Sequence, residues 1–379
     1  MLGIYVHVPF CASRCAYCDF NTYTASELRG RDARAGFAAD AIAEVDLAAR
    51  TLSGERPLVS TVFFGGGTPT LLPAVDLVRI LRAVDERLGL VPGAEVTVEA
   101  NPESVDPAVL ALLREHGVTR VSLGMQSVAP HVLAVLERAH TPGRAQAAAA
   151  EARAAGIEHV SLDLIFGTPG ETDADWAASL DAALAAGPDH VSVYGLTLAA
   201  GTRLDARVRR GDLPAPDDDA MADRYLAADA ALGAAGLGWY ELSNWAAGEE
   251  ARCRHNVGYW RGADWWGVGP GAHSHLDGRR WWNVRHPSDY AARLAAGHSP
   301  VAGAEVLAPE ARRLERIMLE TRTADGLDAG VLRAAGADAA RRMAGERLLE
   351  DGALAAGRVR LTLGGRLVAD AVVRSLADA

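Results

Sequence analysis

Six short runs of β-branched and aromatic residues alternate with longer alanine-rich stretches through the first 235 residues. The runs predict strands and read IYVHV (4–8), STVFF (60–64), EVTVE (95–99), RVSLG (120–124), HVSLDLI (159–165) and HVSVYGL (190–196). The stretches predict helices over 33–50, 74–88, 107–116, 130–155, 173–186 and 218–235. Six βα units in series indicate an α/β fold with a parallel sheet and helices outside it. Periodicity alone leaves open whether the sheet is doubly wound or forms a whole or partial barrel.

A polar or glycine-rich element accompanies the end of each predicted strand. In chain order these elements are the cysteine-rich loop 10–20, GGGTP (65–69), Glu99, Gln126, Asp163 and YGLT (194–197). Working groups of parallel βα folds collect beyond the carboxyl ends of the strands. The pattern therefore favours a barrel-like arrangement in which all six elements surround one cavity.

The pattern changes after residue 235. GWYELSNWA (238–246) predicts a strand and a turn, whereas 252–275 is too rich in glycine for a helix and too aromatic for a disordered linker. Helices return over about 305–350, and the last twenty or so residues predict a short hairpin and a helix. We expect a partial-barrel core (1–235), a connecting region rich in glycine, aromatics and histidine (236–300), and a mainly helical, winged-helix-like C-terminal domain (301–379).

Charge and composition exclude several classes of protein. The net charge of −11 argues against a general nucleic-acid surface, and so against a DNA-binding winged helix. All 38 basic residues are arginine, which excludes a lysine Schiff base and a phosphate-loop lysine. No run of 18 apolar residues and no signal-peptide pattern is present, so we expect a cytoplasmic protein and leave open a peripheral membrane association.

Three of the four cysteines, Cys11, Cys15 and Cys18, share a single loop with the spacing C-x3-C-x2-C. Clustered thiols in a chain of this size, without an export signal, more often bind a metal or react than form disulfides. A zinc ion would need a fourth ligand, which Asp19 or His7 could supply. Three thiolates suit a cubane iron–sulfur cluster better, because they leave its fourth iron open to a small molecule.

The segment YVHVPFCASRCAYCDF (5–20) resembles the radical S-adenosylmethionine (SAM) family, whose cysteine loop follows the first barrel strand, and GGGTP continues the resemblance. The resemblance implies a partial six-unit (β/α) barrel, a 4Fe–4S cluster on the three cysteines of the loop, and SAM on the open iron. Further segments are similar to the coproporphyrinogen-oxidising branch of the family and to its haem-chaperone relatives; these are VEANPES, SLGMQS, LERAHT and SLDLIFGTPGET. The similarity covers nearly the whole chain.

The resemblance also implies which residues contact SAM. Glu99 and Asp163 would bind ribose hydroxyls or the amino group, Arg138 would lie near the carboxylate, and Thr197 would offer its backbone to the adenine. The complete set is Tyr5, Gly66, Gly67, Thr68, Glu99, Gln126, Arg138, Asp163 and Thr197. Two other interpretations stay open at this point: the glycines could form only a tight strand–helix turn, and Arg138 could be a solvated helix charge.

A second group of residues, HNVGYW (255–260), resembles the HNxxYW motif of the haem-chaperone branch. The resemblance implies His255 as an axial haem ligand, with Tyr259 and Trp260 packing beside it. A lone histidine is more often structural than a ligand, and Cys253 is a rival ligand two residues earlier.

Phe20 bears on the choice between enzyme and chaperone. The oxidases carry a fourth cysteine at this position and an N-terminal segment ahead of the barrel, whereas this chain has only four residues before Tyr5. We therefore expect a chaperone that binds haem and passes it to acceptor proteins such as membrane respiratory enzymes. Its cluster and SAM would be structural or regulatory, and could support a homodimer. The alternatives are radical decarboxylation of coproporphyrinogen, and a radical reaction on another substrate.

Overall fold

The computed structural model describes residues 1–28, 33–52, 58–138 and 140–377. Six strands follow one another in parallel and in sequence order. They are β1 (Leu2–Val8), β2 (Val59–Gly66), β3 (Leu90–Ala100), β4 (Arg120–Gln126), β5 (His159–Phe166) and β6 (His190–Gly195). The predicted α/β architecture of six βα units is confirmed.

Helices connect these strands and cover their outer face. They are α1 (Ala33–Thr51), α2 (Ala74–Leu88), α3 (Pro107–Glu115), α4 (Pro130–Val135), α5 (Arg144–Ala154), α6 (Asp173–Ala185), α7 (Arg203–Arg209) and α8 (Asp218–Ala234). The single helix predicted over 130–155 is wrong, because the chain leaves the helix at Glu137 (φ 54°) and starts a new one after Gly143 (φ 77°). The sequence analysis did not predict α7.

Side chains of the parallel strands alternate between two environments. In β4, Val121, Leu123 and Met125 are buried in the main hydrophobic core. The intervening residues, Arg120, Ser122, Gly124 and Gln126, line an interior cavity instead. Because side chains of a strand point to opposite faces in turn, the same strand builds the core and presents polar groups to the interior.

The sheet continues beyond the six parallel strands at both edges. Next to β6 lie β8 (Asn244–Ala246) and β7 (Gly238–Glu241), which confirms the strand and turn predicted there. Next to β1 lies the parallel strand β9 (Asp264–Val268), followed by antiparallel β10 (His273–Leu276), β11 (Arg279–Asn283) and β12 (Val301–Val306). Twelve strands thus form one mixed sheet, and its two edge strands, β7 and β12, do not pair with each other in the described chain.

The segment 254–260 is helical, which corrects the expectation that the region around it is too glycine-rich for a helix. This helix, α9 (Arg254–Trp260), begins where the Glu95 carboxylate accepts the backbone N–H groups of Arg254 at 3.0 Å and of His255 at 2.9 Å. A carboxylate there satisfies free N–H groups and complements the helix dipole. Glu95 is about 160 residues away in sequence, so local composition could not reveal the cap.

The C-terminal part is mainly helical, as predicted. It contains α11 (Pro309–Glu320), α12 (Ala334–Gly345), α13 (Asp351–Ala355), α14 (Leu363–Leu367) and α15 (Ala369–Ala377), whereas α10 (Pro287–Ala295) lies in the connecting region before it. A second hydrophobic cluster, which includes Ile317, Leu327 and Leu376, packs α11, α12 and α15 together, with α13 against them. No helix in the described residues combines the length and the apolar character that crossing a membrane requires.

The hairpin predicted near the C-terminus is wrong. Strand β14 (Arg358–Val359) pairs instead with the distant β13 (Leu327–Asp328), and the two form a separate antiparallel pair. The residues expected to return the hairpin start α14, where the Thr362 hydroxyl accepts the Gly365 N–H at 3.0 Å. A side-chain cap of this kind stabilises a helix start and so competes with a local turn.

Candidate functional site

A cavity of about 600 Å³ lies inside the parallel strands and reaches their carboxyl ends. The three loop cysteines and eight of the nine residues that the resemblance implies for SAM line it. These are Cys11, Cys15, Cys18, Gly66, Gly67, Thr68, Glu99, Gln126, Arg138, Asp163 and Thr197. Tyr5 lies beneath them, where its hydroxyl is 3.0 Å from His7 Nδ1. The fold therefore brings together residues that are up to 186 positions apart.

The cysteine loop is fixed to its surroundings through its backbone. Cys11 N–H donates to the Tyr23 carbonyl at 3.0 Å, and Ala16 N–H donates to the Leu136 carbonyl at 3.0 Å. Burial, together with the neighbouring thiols, raises the pKa of Cys11 to about 11. The loop is thus held in place while its thiols face the cavity.

A zinc shell completed by His7 is not assembled in this loop. His7 Nε2 is 2.9 Å from the Asn21 carbonyl, and its other ring nitrogen faces the Tyr5 hydroxyl. Among the described residues, no three histidine, cysteine, aspartate or glutamate side chains converge closely enough to hold one metal ion. The three thiols are instead spread along the wall of a cavity, an arrangement that fits a larger group with several irons.

The glycines of GGGTP allow the second strand to approach the cysteine loop closely. A Cβ atom on Gly67 would lie 2.4 Å from the Phe10 carbonyl oxygen and 3.0 Å from Cys11 Sγ. Gly66 has φ 110°, and a Cβ on it would lie 2.7 Å from the His7 ring. Only glycine meets both demands. These glycines therefore form a tight turn and also one wall of the cavity, so the two interpretations of the sequence coincide.

Two carboxyl groups, Glu99 and Asp163, face the cavity from neighbouring parts of the barrel. Burial first, and then repulsion by Asp163, raise the pKa of Glu99 to about 8, although the Gly66 N–H donates to it at 3.2 Å. Burial also raises the pKa of Asp163, while hydrogen bonds from Ser192 and Ser122 counteract the shift. The two carboxyls therefore tend to keep a proton. A cationic ligand bound between them would lower their pKa values and displace that proton.

Arg138 points into the cavity and is not a solvated helix charge. It donates to the Gly124 carbonyl at 3.0 Å and to Cys15 Sγ at 3.5 Å. Its direction follows from the end of α4, where Glu137 adopts a left-handed conformation and Arg138 N–H donates back to the Leu133 carbonyl. The arginine thereby brings a positive charge beside the cysteine loop.

The HNxxYW residues lie in α9. Asn256 of this helix and Cys253, which directly precedes it, line the end of the cavity that lies away from the cysteine loop, called the deep end below. The His255 ring stacks on Phe63, another cavity residue, with ring centres 5.1 Å apart. The edge of Tyr259 packs against the His255 ring at 4.8 Å. The cysteine loop and the HNxxYW motif therefore approach one cavity from opposite ends.

Both ring nitrogens of His255 already have protein partners. Nδ1 is 2.9 Å from the Thr61 hydroxyl, and Nε2 is 2.9 Å from the Tyr259 hydroxyl. Burial lowers the pKa of His255 to about 3, so the imidazole is neutral. Coordination of an iron by Nε2 would first require the Tyr259 hydroxyl to move away.

The other residues considered for haem are also engaged in this structure. Cys253 is buried, its thiol donates to Glu95 at 3.7 Å, and burial raises the pKa of that thiol well above its usual value. Trp260 donates a side-chain hydrogen bond to Glu241, which counteracts the burial that raises the pKa of this carboxyl to about 7. A neutral, buried thiol is a poorer iron ligand than a thiolate.

Several further residues line the cavity without having been predicted from the sequence. They are Thr97, Arg120, Ser161, His190, Ser192 and Tyr194. Thr97, Arg120 and Ser161 each lie an even number of positions from a predicted site residue on the same strand, and the other three alternate along β6, so the alternation of the strands carries the missing signal. A prediction limited to strand ends overlooks the interior of the barrel.

The comparisons with known proteins agree with this geometry. The Radical SAM superfamily matches residues 5–183. Heme chaperone HemW of Mycobacterium tuberculosis is 53% identical over 376 residues, which cover 99% of this chain and 94% of the relative. The chain belongs to the HemW family of radical SAM proteins. Membership of the superfamily implies a 4Fe–4S cluster and SAM, and the three cavity thiols with their glycine wall fit that pair.

Other relatives of this HemW-family chain are more distant. Heme chaperone HemW of Synechocystis is 39% identical over 327 residues, covering 85% of this chain and 78% of the relative. Among solved structures, coproporphyrinogen III oxidase (HemN) from Escherichia coli superposes with a TM-score of 0.82 and 22% identity, over all of this chain and 89% of that one. The likeness to HemN confirms the radical SAM fold with its helical C-terminal region.

Proposed function

We propose that this protein is a haem chaperone, which binds haem as cargo and transfers it to acceptor haemoproteins such as respiratory enzymes. The observation that carries the proposal is the 53% identity to a heme chaperone over 99% of the chain. Phe20 supports it, because the oxidases resembled by the sequence have a cysteine at this position. The protein would act in the cytoplasm, with or without docking at a membrane, and a homodimer is part of the proposal.

In this proposal the end of the cavity at the cysteine loop binds the 4Fe–4S cluster and SAM. Cys11, Cys15 and Cys18 would hold the 4Fe–4S cluster, which supplies an open iron and an electron when bound. Arg138 would pair with the ligand carboxylate, and Glu99 and Asp163 would bind its hydroxyl or amino groups. Gly66, Gly67, Thr68, Gln126 and Thr197 would complete the walls, with Tyr5 supporting them from below.

His255 is the proposed haem ligand, with Tyr259 and Trp260 beside it and Cys253 as the rival. Because Nε2 contacts the Tyr259 hydroxyl at 2.9 Å, ligation and this hydrogen bond exclude each other. The proposal therefore includes a local rearrangement in which Tyr259 releases the imidazole. Loss of one hydrogen bond costs about 1 kcal/mol, which is small beside the strength of an imidazole–iron bond.

A haem titration followed by absorbance tests the assignment. We expect a saturable Soret change in the wild type and its loss in His255→Ala. Tyr259→Phe keeps the ring and removes the competing hydroxyl, so it should bind haem at least as tightly as the wild type. Cys253→Ser tests the rival ligand, and His273→Ala, at an exposed histidine, is the control.

Transfer to an apo-haemoprotein, measured by the appearance of its own spectrum, tests the second half of the proposal. If the wild type shows no saturable Soret change, or if His255→Ala binds as the wild type does, the haem-ligand proposal fails.

Radical chemistry is a second candidate, supported by the gathering of all three thiols and eight SAM-site residues around one cavity. Anaerobic reconstitution followed by reductant, SAM and coproporphyrinogen tests it directly. Formation of protoporphyrinogen would overturn the chaperone proposal, whereas release of 5′-deoxyadenosine alone would show only that the cluster can cleave SAM.

A further inference from the structure

The deep end of the cavity contains hydrogen-bond donors that have no partner among the described residues. Arg120, at the start of β4, is 1% exposed, and its Nε and Nη1 atoms make no hydrogen bond. The hydroxyl of Thr97, on the adjacent strand β3, is 0% exposed and also makes none. Register pairing places the two residues directly beside each other, and both line the cavity.

Within the described parts of the chain, only one nitrogen of the Arg120 guanidinium forms hydrogen bonds. Nη2 donates to the carbonyl oxygens of Ala251 at 2.9 Å and Arg252 at 3.1 Å, and it lies 3.4 Å from Glu95 Oε2. These contacts fix the position of the side chain. The N–H groups of Nε and Nη1 are therefore fixed in position but form no hydrogen bond with the described residues.

The polar groups around Arg120 and Thr97, which form the floor of the cavity, already have hydrogen-bond partners. Asp163 accepts both contacts of the Ser122 hydroxyl, at 2.9 and 3.0 Å. His190 is bonded on both sides, to the Ser161 hydroxyl at 2.7 Å and to the Tyr240 hydroxyl at 2.8 Å. Burial and the nearby Arg120 charge hold the pKa of His190 well below its usual value, so the ring adds no second cation.

Burial of unpaired donors, one of which carries a positive charge, lowers the stability of the fold unless a bound group supplies acceptor oxygens. The free guanidinium groups can only donate, and the Thr97 hydroxyl can donate as well as accept, so acceptor oxygens suit all of them. We propose that Arg120 and Thr97 form a subsite for the carboxylate of a small organic acid, at the opposite end of the cavity from the cysteine loop. A carboxylate there accepts charge-assisted hydrogen bonds from the guanidinium and a further one from the hydroxyl.

The size of the cavity limits the ligand. The cavity of about 600 Å³ also serves the groups at the strand ends, and Arg120 and Thr97 are only 1% and 0% exposed, so this end admits an acid of a few heavy atoms at most, and only as neighbouring side chains move aside. The donors of the subsite do not touch the side chains of His255, Tyr259 or Trp260, although Glu95 contacts both Arg120 and the His255 N–H. Acetate is therefore a suitable probe, and acetamide, which is neutral and of the same shape, is its matched control ligand.

The test uses the full chain with its cluster reconstituted anaerobically and without haem. Acetate should raise the thermal unfolding midpoint in a saturable way and give a measurable Kd by calorimetry, whereas acetamide should do neither. Thr97→Val removes a hydroxyl that bonds nothing in the protein, so it should leave folding intact and weaken acetate binding about three- to tenfold.

Two further variants make the outcome decisive. Thr321→Val removes another buried, unpartnered hydroxyl far along the chain in the C-terminal region, and should bind acetate as the wild type does. The double variant Glu95→Gln/Arg120→Gln removes the cation together with its buried partner, and should abolish binding. Absence of a saturable effect in the folded wild type, or equal acetate affinity in Thr97→Val and Thr321→Val, would overturn the proposal, with water as the occupant of the floor.

Discussion

At the scale of single residues, the chemistry of the cavity depends on charges that are buried together. No basic side chain among the described residues bonds to Glu99, and after burial the group that raises the pKa of Glu99 is another carboxyl, Asp163. Burial raises the pKa of Asp163, and the charge of Arg138 partly offsets that shift, while Arg138 itself contacts Cys15 and the Gly124 carbonyl. Acidic and basic groups that share one cavity suit a zwitterionic ligand such as an amino acid derivative.

Binding of SAM to the cluster-loaded protein should therefore depend on pH. Because the pKa of Glu99 is raised to about 8, the ionised form that attracts a cationic ligand is scarce below that pH. We expect the affinity to rise roughly tenfold per pH unit up to about 8 and then to level off. Calorimetry at several pH values measures this. Glu99→Gln should bind more weakly and show a flatter profile, and an unchanged slope would contradict the role of Glu99.

At the scale of elements, strand ends and helix ends aim the functional side chains. Gln126 closes β4 with φ 67°, where Ser127 N–H donates to the Met125 carbonyl at 2.9 Å and the register with β5 shifts. This tight turn directs Gln126 into the cavity. A non-glycine residue in that conformation costs about 1–2 kcal/mol, the kind of local strain that accumulates at functional sites.

Two substitutions at Gln126 separate strain from binding. Both Gln126→Gly and Gln126→Ala remove the amide from the cavity, so both should weaken SAM binding to a similar extent. Only glycine relieves the backbone, so Gln126→Gly should have a free energy of unfolding about 1 kcal/mol higher than Gln126→Ala. Denaturant unfolding measures the difference. Equal stabilities would indicate that the turn stores no strain.

At the scale of the whole molecule, polar contacts connect the barrel to the chain beyond it. Arg366 in α14 donates to Asp229 in α8 at 2.8 and 3.2 Å, and its guanidinium lies 4.4 Å from the centre of the Trp239 ring. Both charged side chains are largely shielded from solvent. The C-terminal helices are therefore anchored to the barrel by a specific ion pair as well as by apolar packing.

Removal of this anchor should destabilise the protein. Arg366→Ala leaves Asp229 without its cation and removes the stacking on Trp239, for an expected loss of about 2 kcal/mol in the free energy of unfolding. Arg341→Ala, which removes an exposed pair with Asp338, is the matched control and should change stability by less than about 0.5 kcal/mol. Similar effects of the two substitutions would contradict the anchoring role.

A buried carboxyl connects α1 to the extension of the sheet beyond β1. Glu44 accepts the Gly269 N–H at 2.8 Å, the Asn283 amide at 2.7 Å and the Tyr290 hydroxyl at 2.5 Å. Burial raises its pKa to about 7 in spite of these hydrogen bonds. Because the folded pKa lies above the unfolded one, the protonated group stabilises the fold at low pH, and this contribution is lost as the pH rises through about 7.

The pH dependence of stability tests this role. From pH 4 to pH 8, the free energy of unfolding of the wild type should fall by about 3 kcal/mol relative to that of Glu44→Gln. Chemical denaturation across that range measures the shift, with Glu86→Gln, at an exposed glutamate, as the control. A difference that does not vary with pH would show that Glu44 keeps an ordinary pKa in the fold.

The sequence alone determined the six βα units, the cysteine loop and the residues at the strand ends. These features follow from local periodicity and from short motifs, in which neighbouring residues carry the information. The glycines of GGGTP belong here too, because the absence of a side chain in such a loop by itself indicates a close approach of the backbone.

Only the tertiary structure decided the helical state of α9, the pairing of β14 and the surroundings of His255. In each case the deciding partner is distant in sequence: Glu95 caps α9, Leu327 pairs with Val359, and Thr61 bonds the imidazole. The unpaired donors of Arg120 and Thr97 belong to the same class. Whether a polar group is satisfied depends on which groups surround it in space, and that is a property of the folded chain.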